Sequence, residues 1–187
     1  MEIENLKKAL KIITSSPEFA HIIPEVRTNL VMAKIDAKTE EDVAGIPGRI
    51  TAANGQTFAC REPAFGASSH MARMVLNVQK HDSSKRSVIN IKYHPNMVEI
   101  CTKLGLIVSS YERINEPDDV KESEGKTIPW GVEESIKKAG VVPDVIYHKG
   151  AWGKEPIICL ITTDAVESAR MSVCIARLFV DMKKIHE

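Results

Sequence analysis

Apolar positions recur along this chain at two alternating periods. Leu6, Leu10 and Ile13 fall at helical spacing and predict a helix over 3–15. It ends before Ser15-Ser16-Pro17, because the residue before a proline avoids helical backbone. Phe19 to Pro24 reads as a connector. From Val26 to Ala33 the pattern alternates in part, interrupted by Asn29 and Lys34, and predicts a strand with one face on the core. Gly45-Ile46-Pro47-Gly48-Arg49-Ile50 bends the chain into a further strand, closed by the tight-turn pair Asn54-Gly55. Met71, Met74, Val75 and Val78 mark a helix over 69–80. Ser87 to Tyr93 reads as a strand, Asn96 to Lys103 as a helix ended by Gly105, and Leu106 to Tyr111 as a second strand. This order predicts a right-handed crossover between parallel strands. The polar stretch 113–127 reads as a mobile surface loop, and Pro129 opens a helix that Gly140 stops. Two strands, 144–148 and 156–162, flank a Gly-rich loop. A last helix over 164–184 carries a wide apolar face through Val166, Ala169, Val173, Ile175, Ala176, Phe179 and Met182.

The mixed order of elements predicts an α/β fold with helices on both faces of a mixed sheet. At 187 residues, with 43% hydrophobic content, the chain fits one domain, 1–187, around one core. No apolar run approaches the ~20 residues of a membrane helix. Met1 to Leu10 interleaves Glu2, Glu4, Lys7 and Lys8 with apolar residues, unlike a signal peptide, so the expected location is cytoplasmic, away from membranes. Lys plus Arg and Asp plus Glu both number 25, and this balance removes the basic surface that nucleic-acid binding needs. Any anion site must be local. Cys60, Cys101, Cys159 and Cys174 are far apart, with no Cys-x-x-Cys pair, and read as reduced, mostly buried small hydrophobes.

Against that neutral background, Pro63 to Arg73 concentrates chemistry. Gly66 can turn the chain, Ala67 follows it, and Ser68 or Ser69 can cap the helix. The helix start would then offer free N–H groups and Arg73 to a phosphate. The plainer reading is that Ser-Ser simply begins an ordinary helix. Arg49 follows the glycine–proline bend, where a guanidinium offers a planar, permanently charged fork, and His70 follows the two serines. The ordinary alternative for Arg49 is a surface ion pair worth about 0–1 kcal/mol. Asn90 and Lys92 share one strand face, which either lines a cleft or is solvated. The loop 147–156 brings two glycines, Gly150 and Gly153, two lysines, Lys149 and Lys154, and Trp152, which can stack on a heteroaromatic ring. Asp118, Asp119, Glu133 and Asp144 are candidates for magnesium, none of them marked by spacing.

The run AFGASSHMAR, with IPGRI upstream and DVIYHKGAWGKEP downstream, resembles the ThiN-type thiamine-phosphate synthase domain, from Pro24 through Pro156. The resemblance implies a three-layer α/β/α fold with a mixed, mostly antiparallel sheet, similar to the class II aldolase (AraD-like) fold. It implies that hydroxymethylpyrimidine pyrophosphate and hydroxyethylthiazole phosphate are joined with release of pyrophosphate, with Mg2+ at unknown ligands. Arg49 and His70 take the catalytic places; Arg27, Gly66, Ala67, Ser68, Ser69, Arg73, Asn90, Lys149, Gly153 and Lys154 take substrate and phosphate binding. His148, Ala151 and Trp152 depart from the acidic or aliphatic residues usual there. Absence of any His-x-His pair argues against carrying over an aldolase's zinc chemistry. Such domains occur fused to a hydroxymethylpyrimidine kinase, so a fused or separate kinase is an expected partner. A homodimer sharing the cleft is expected from the distance between the motif blocks. Related copies in archaeal transcription regulators make a non-catalytic sensor of thiamine phosphate the alternative.

Overall fold

A mixed sheet separates two helical layers. The computed structural model describes residues 1–123 and 125–186; Glu124, inside the stretch read as a loop, and Glu187 lie outside the described residues. The strands are β1 (Leu30–Ala33), β2 (Val43–Gly45), β3 (Ile50–Ala53), β4 (Gln56–Ala59), β5 (Ala64–Phe65), β6 (Ser87–Lys92), β7 (Val108–Ser110), β8 (Val145–His148) and β9 (Ile157–Thr162). Among the described residues the main sheet has the order β5-β2-β1-β6-β9-β8-β7, and β3 and β4 form a separate hairpin. Every pairing in the main sheet is antiparallel except β7 with β8. This is the mixed, mostly antiparallel arrangement that the resemblance implied.

The helices are α1 (Glu2–Thr14), α2 (Ser69–Gln79), α3 (Pro95–Lys103), α4 (Asp118–Lys121), α5 (Thr127–Ala139) and α6 (Ala165–His186). On one sheet face Leu6 and Ile13 of α1, Met97 of α3 and Ala169 and Phe179 of α6 pack with Leu30, Met32, Ile89, Ile91 and Leu160. On the other, Met71, Val75 and Val78 of α2 and Val132 of α5 pack with Val31, Val88, Ile146 and Ile161. Consecutive strand residues thus bury themselves in opposite layers, so the central strands are apolar without alternation. On this second face part of the surface of β6, β9 and β8 lines a cleft together with α2 and α5.

Several sequence expectations need correction. β6 and β7 run in the same direction but are not neighbours, because β9 pairs along all six residues of β6 and β8 follows it. The adjacent parallel pair is β7 and β8, joined through α5. Residues 26–29 are not strand: Arg27 has a left-handed backbone, and Thr28 makes one isolated bridge to Ile50. The connector after α1 is a 3-10 helix, Pro17–Ile22. The stretch read as a surface loop holds a 3-10 turn, Arg113–Asn115, and α4, anchored by buried Glu116, which pairs with Arg113 and accepts from the Thr127 hydroxyl. Cys60 and Cys174 are exposed, while Cys101 is buried and Cys159 half-buried. No helix among the described residues is long and apolar enough to cross a membrane.

Candidate active site

Strand alternation aims Asn90 of β6, Cys159 and Ile157 of β9, and Ile146 and His148 of β8 toward the α2/α5 side. With Met71 and Met74 of α2, Ile128 and Val132 of α5, and Tyr111, they enclose a chamber of about 350 Å3. The chamber opens into a cationic mouth of about 520 Å3, lined by Arg27, Asn29, Gly48, Arg49, Ala67, Ser68, Ser69 and His70. Asn29, Arg49, Ser68 and His70 border both, so the two form one cleft.

Two arginines at the mouth have left-handed backbones, Arg27 at φ 66° and Arg49 at φ 70°. Such a conformation costs a non-glycine residue on the order of 1–3 kcal/mol and persists only where its surroundings hold it. Here they do. The Arg27 N–H donates to Pro24 O (2.8 Å), and Arg27 O accepts from Asn90 Nδ2 (3.0 Å). Asn90 Oδ1 accepts from Asn29 N–H (2.7 Å), and Asn29 Oδ1 accepts from Ile46 N–H (3.2 Å), linking the Arg27 turn to the bend before Arg49. The Arg49 N–H donates to Ile46 O and its guanidinium to Val26 O. From across the cleft, both Glu155 oxygens accept backbone N–H groups, from Glu25 (2.8 Å) and Val26 (2.9 Å). Gly150, at φ 80°, lets the chain double back so tightly that a Cβ there would sit 2.4 Å from Lys154 O. That turn returns Lys154 to the cleft, where its ammonium joins the arginines.

Helix α2 begins at the mouth. Ser68 holds the cap position, but its side chain makes no capping bond, which leaves the hydroxyl to the cleft. Gly66 takes φ 69° and donates its N–H to Val43 O, so its work is turning the chain. Arg73 pairs with Glu40 at 2.8 Å, and Glu40 is held below the usual carboxylate range by the Ser69 hydroxyl first and Arg73 after it.

No carboxylate lines either chamber among the described residues, whereas Arg27, Arg49, Arg113, Lys121 and Lys154 do. His70 faces solvent at the mouth, yet partial desolvation and then Arg73, Arg49, Lys154 and Arg113 lower its pKa, favouring the neutral imidazole. Tyr111 is raised by burial above all. The carboxylates considered for magnesium lie elsewhere. Asp144 pairs with Lys85 (2.7 Å) and accepts from Ile107 N–H, Glu133 pairs with His81 (2.8 Å), Asp118 pairs with Lys121, and Asp119 is not on the lining. Among the described residues no three His, Cys, Asp or Glu side chains converge, and none of these four carboxylates lines the cleft.

A sequence model of the family described as thiamine-phosphate synthase ThiN matches residues 5–173. The chain belongs to that family. It is similar, at 50% identity over 98% of its length and 96% of the relative's, to the thiamine-phosphate synthase ThiN of Methanothermobacter thermautotrophicus. It is 33% identical to the bifunctional thiamine biosynthesis protein ThiDN of Methanocaldococcus jannaschii over 95% of its own length and 41% of that protein's. Among solved structures, the C-terminal domain of phosphomethylpyrimidine kinase superposes with a TM-score of 0.87 at 37% identity, covering 94% of this chain and 97% of that one.

In this ThiN-family chain the structure gathers Arg27, Arg49, Ala67, Ser68, Ser69, His70, Asn90 and Lys154 along one cleft. Gly66, Arg73, Lys149 and Gly153 lie off the lining, and Trp152 is fully exposed. Motif blocks far apart in sequence converge within one chain. Sequence reasoning passed over Tyr111, Arg113, His148 and Glu155. Of these, His148 carried a signal as a departure from the family pattern, and Glu155 as part of the Gly-Lys-Glu-Pro run that carries the resemblance.

His148 also gives a pH dependence. Burial, and after it Arg113, depresses its pKa from 6.5 to about 4, so folding keeps it neutral. Unfolded, the ring takes up a proton below about pH 6.5. Its contribution to stability is therefore complete above that pH and lost as pH falls through about 4. Thermal melts are expected to show Tm falling over this window, with a shallower fall in His148→Gln. His70 and His94, lowered in the same direction, add to the slope, and Glu18, Glu40, Asp42 and Asp82, whose carboxyls are held low, add to it at the acid end.

Proposed function

We propose that this protein is a thiamine-phosphate synthase, joining hydroxymethylpyrimidine pyrophosphate to hydroxyethylthiazole phosphate with release of pyrophosphate. The observation that carries the reading is the pairing of a carboxylate-free cationic mouth with an apolar chamber in one continuous cleft. The reaction breaks the bond between the methylene carbon and the pyrophosphate oxygen, and that oxygen keeps the electron pair. The thiazole nitrogen lone pair then forms the new carbon–nitrogen bond. Negative charge grows on the leaving group, so fixed donors there lower the barrier most. Arg49 and Arg27, held by their strained turns, and Lys154 supply that charge complement. A neutral His70 can donate an N–H to the departing oxygen. The chamber walls of Met71, Met74, Ile128, Val132 and Ile146 keep water from the methylene cation.

Any magnesium would be carried by pyrophosphate oxygens and water. A hydroxymethylpyrimidine kinase, separate or joined to this chain, would supply the pyrimidine substrate, and a cytoplasmic setting suits these charged metabolites. The names of the matched relatives support the enzyme over a sensing module. The test is incubation of the full chain with both substrates and magnesium, with thiamine phosphate read as fluorescent thiochrome. Product above the no-protein control supports the proposal; tight thiamine-phosphate binding without product would replace it with the sensor.

A further inference from the structure

Beside the cationic mouth, the chamber holds one polar side chain whose protonation pattern the backbone dictates. His148 ends β8 on the same face as Ile146 and is half-buried against Tyr111, with ring centroids 5.2 Å apart. Its Nδ1 accepts a hydrogen bond from Gly150 N–H at 3.1 Å. A ring nitrogen that accepts carries no proton, so the neutral imidazole keeps its hydrogen on Nε2. Gly150 is held in place by its left-handed backbone and the close return of Lys154, so the tautomer is built into the turn.

We propose that His148 is a specificity-determining residue that donates its Nε2–H to a ring nitrogen of the pyrimidine substrate. The inference rests on the proposed synthase reaction. Of the two substrates, only the pyrimidine has ring nitrogens that form no bond in the reaction. The thiazole nitrogen must present a free lone pair to the methylene carbon, and a donor on it would have to be broken before attack. Tyr111, Ile146 and Val132 line the chamber beside His148, apolar surface of the kind a heteroaromatic ring packs on. A neutral donor is also the right kind. An imidazolium at this place would repel the cation that forms on the pyrimidine methylene, whereas an N–H dipole orients the ring at little electrostatic cost. Burial, and after it Arg113, keeps the ring in that neutral state.

The test is steady-state kinetics on the full chain with His148→Leu and His148→Gln, varying each substrate in turn. Loss of a buried hydrogen bond to the pyrimidine predicts a rise of about 10- to 100-fold in KM for the pyrimidine pyrophosphate, with KM for the thiazole phosphate unchanged. Gln, whose amide reaches as far as Nε2, is expected to restore most of the loss. Of two deaza analogues, each with one ring nitrogen replaced by C–H, one should bind wild type as weakly as the natural substrate binds the Leu variant, and be indifferent to the substitution. Equal shifts in both KM values, a shift for the thiazole alone, or no shift overturns the inference. Thermal melts exclude unfolding as the cause. Calorimetric titration of unphosphorylated hydroxymethylpyrimidine separates this inference from the reaction. If wild type makes no product but binds the pyrimidine through His148, the synthase reading alone falls; if that binding is also unaffected by the Leu variant, the inference falls with it.

Discussion

Arg49→Ala is expected to lower kcat/KM for thiamine-phosphate formation by about a thousandfold. Arg49 stands where the mouth meets the chamber, lining both, with its guanidinium anchored to Val26 O. Removing a single preorganised donor from developing negative charge costs roughly 10²–10³ in rate. A formal positive charge in a mouth without carboxylates adds to that. Lys in its place keeps the charge but not the two-pronged geometry, and should recover only part of the rate. A glycine separates chemistry from folding. At φ 70° an Arg is strained and a Gly is not, so Arg49→Gly is expected to match or exceed the wild-type Tm while turning over as poorly as the Ala variant. Turnover within tenfold of wild type in either variant, by the thiochrome assay, would remove Arg49 from the catalytic machinery.

Asn90→Leu is expected to damage both stability and activity. The Asn90 amide is buried and joins three backbone segments: it accepts from Asn29 N–H, donates to Arg27 O, and through Asn29 reaches Ile46 N–H. Leucine has nearly the same volume but leaves the buried Asn29 N–H and the part-buried Arg27 C=O without these partners, at about 1–3 kcal/mol for each that water does not reach. Against a total stability of about 5–15 kcal/mol this is a large fraction. It corresponds to a fall in Tm of roughly 5–15 °C for a chain of this size. The turn that holds Arg27 at φ 66° would relax, so substrate binding should weaken even below the melting range. Thermal melts with kinetics at 25 °C check both parts, and a Tm within 2 °C of wild type would show that the asparagine pair is not the brace described.

The helices were legible because each is a local object. Leu6, Leu10 and Ile13 predicted α1, Gly140 stopped α5 in a left-handed cap, and the Ser68–Ser69 start of α2 fell within one residue of its observed place. Turn signals at Gly66 and Asn54-Gly55 were read from the residues' own backbone preferences, and all three have positive φ. Short strands such as β2 and β5, of three and two residues, hold too few positions for a period to show. The alternation read across 26–33 failed where Asn29 interrupts it, and that interruption was the signal of the buried amide pair. Of the site, Arg49 and His70 stood out through their setting and the family resemblance, and both line the cleft. Arg73 was placed on the phosphate cradle by helix spacing, but Glu40, far away in sequence, takes its charge instead. Lys149 and Lys154 looked equivalent in the loop; only the Gly150 turn, by folding one back and leaving the other in solvent, tells them apart.

By itself, then, the sequence determined the kinds of elements, the faces they bury, the turns at glycine and asparagine, and the family. These depend on interactions within a few residues of chain, or on residue strings that can be compared directly. Strand order, the displacement of β7 from β6, and the clamp of Glu155 on Glu25 and Val26 from 130 and 129 positions away were decided by tertiary structure alone. The physical reason is that each of these depends on hydrogen-bond partners supplied by remote segments. Such partners are chosen only when the whole sheet settles into the register that buries both of its faces.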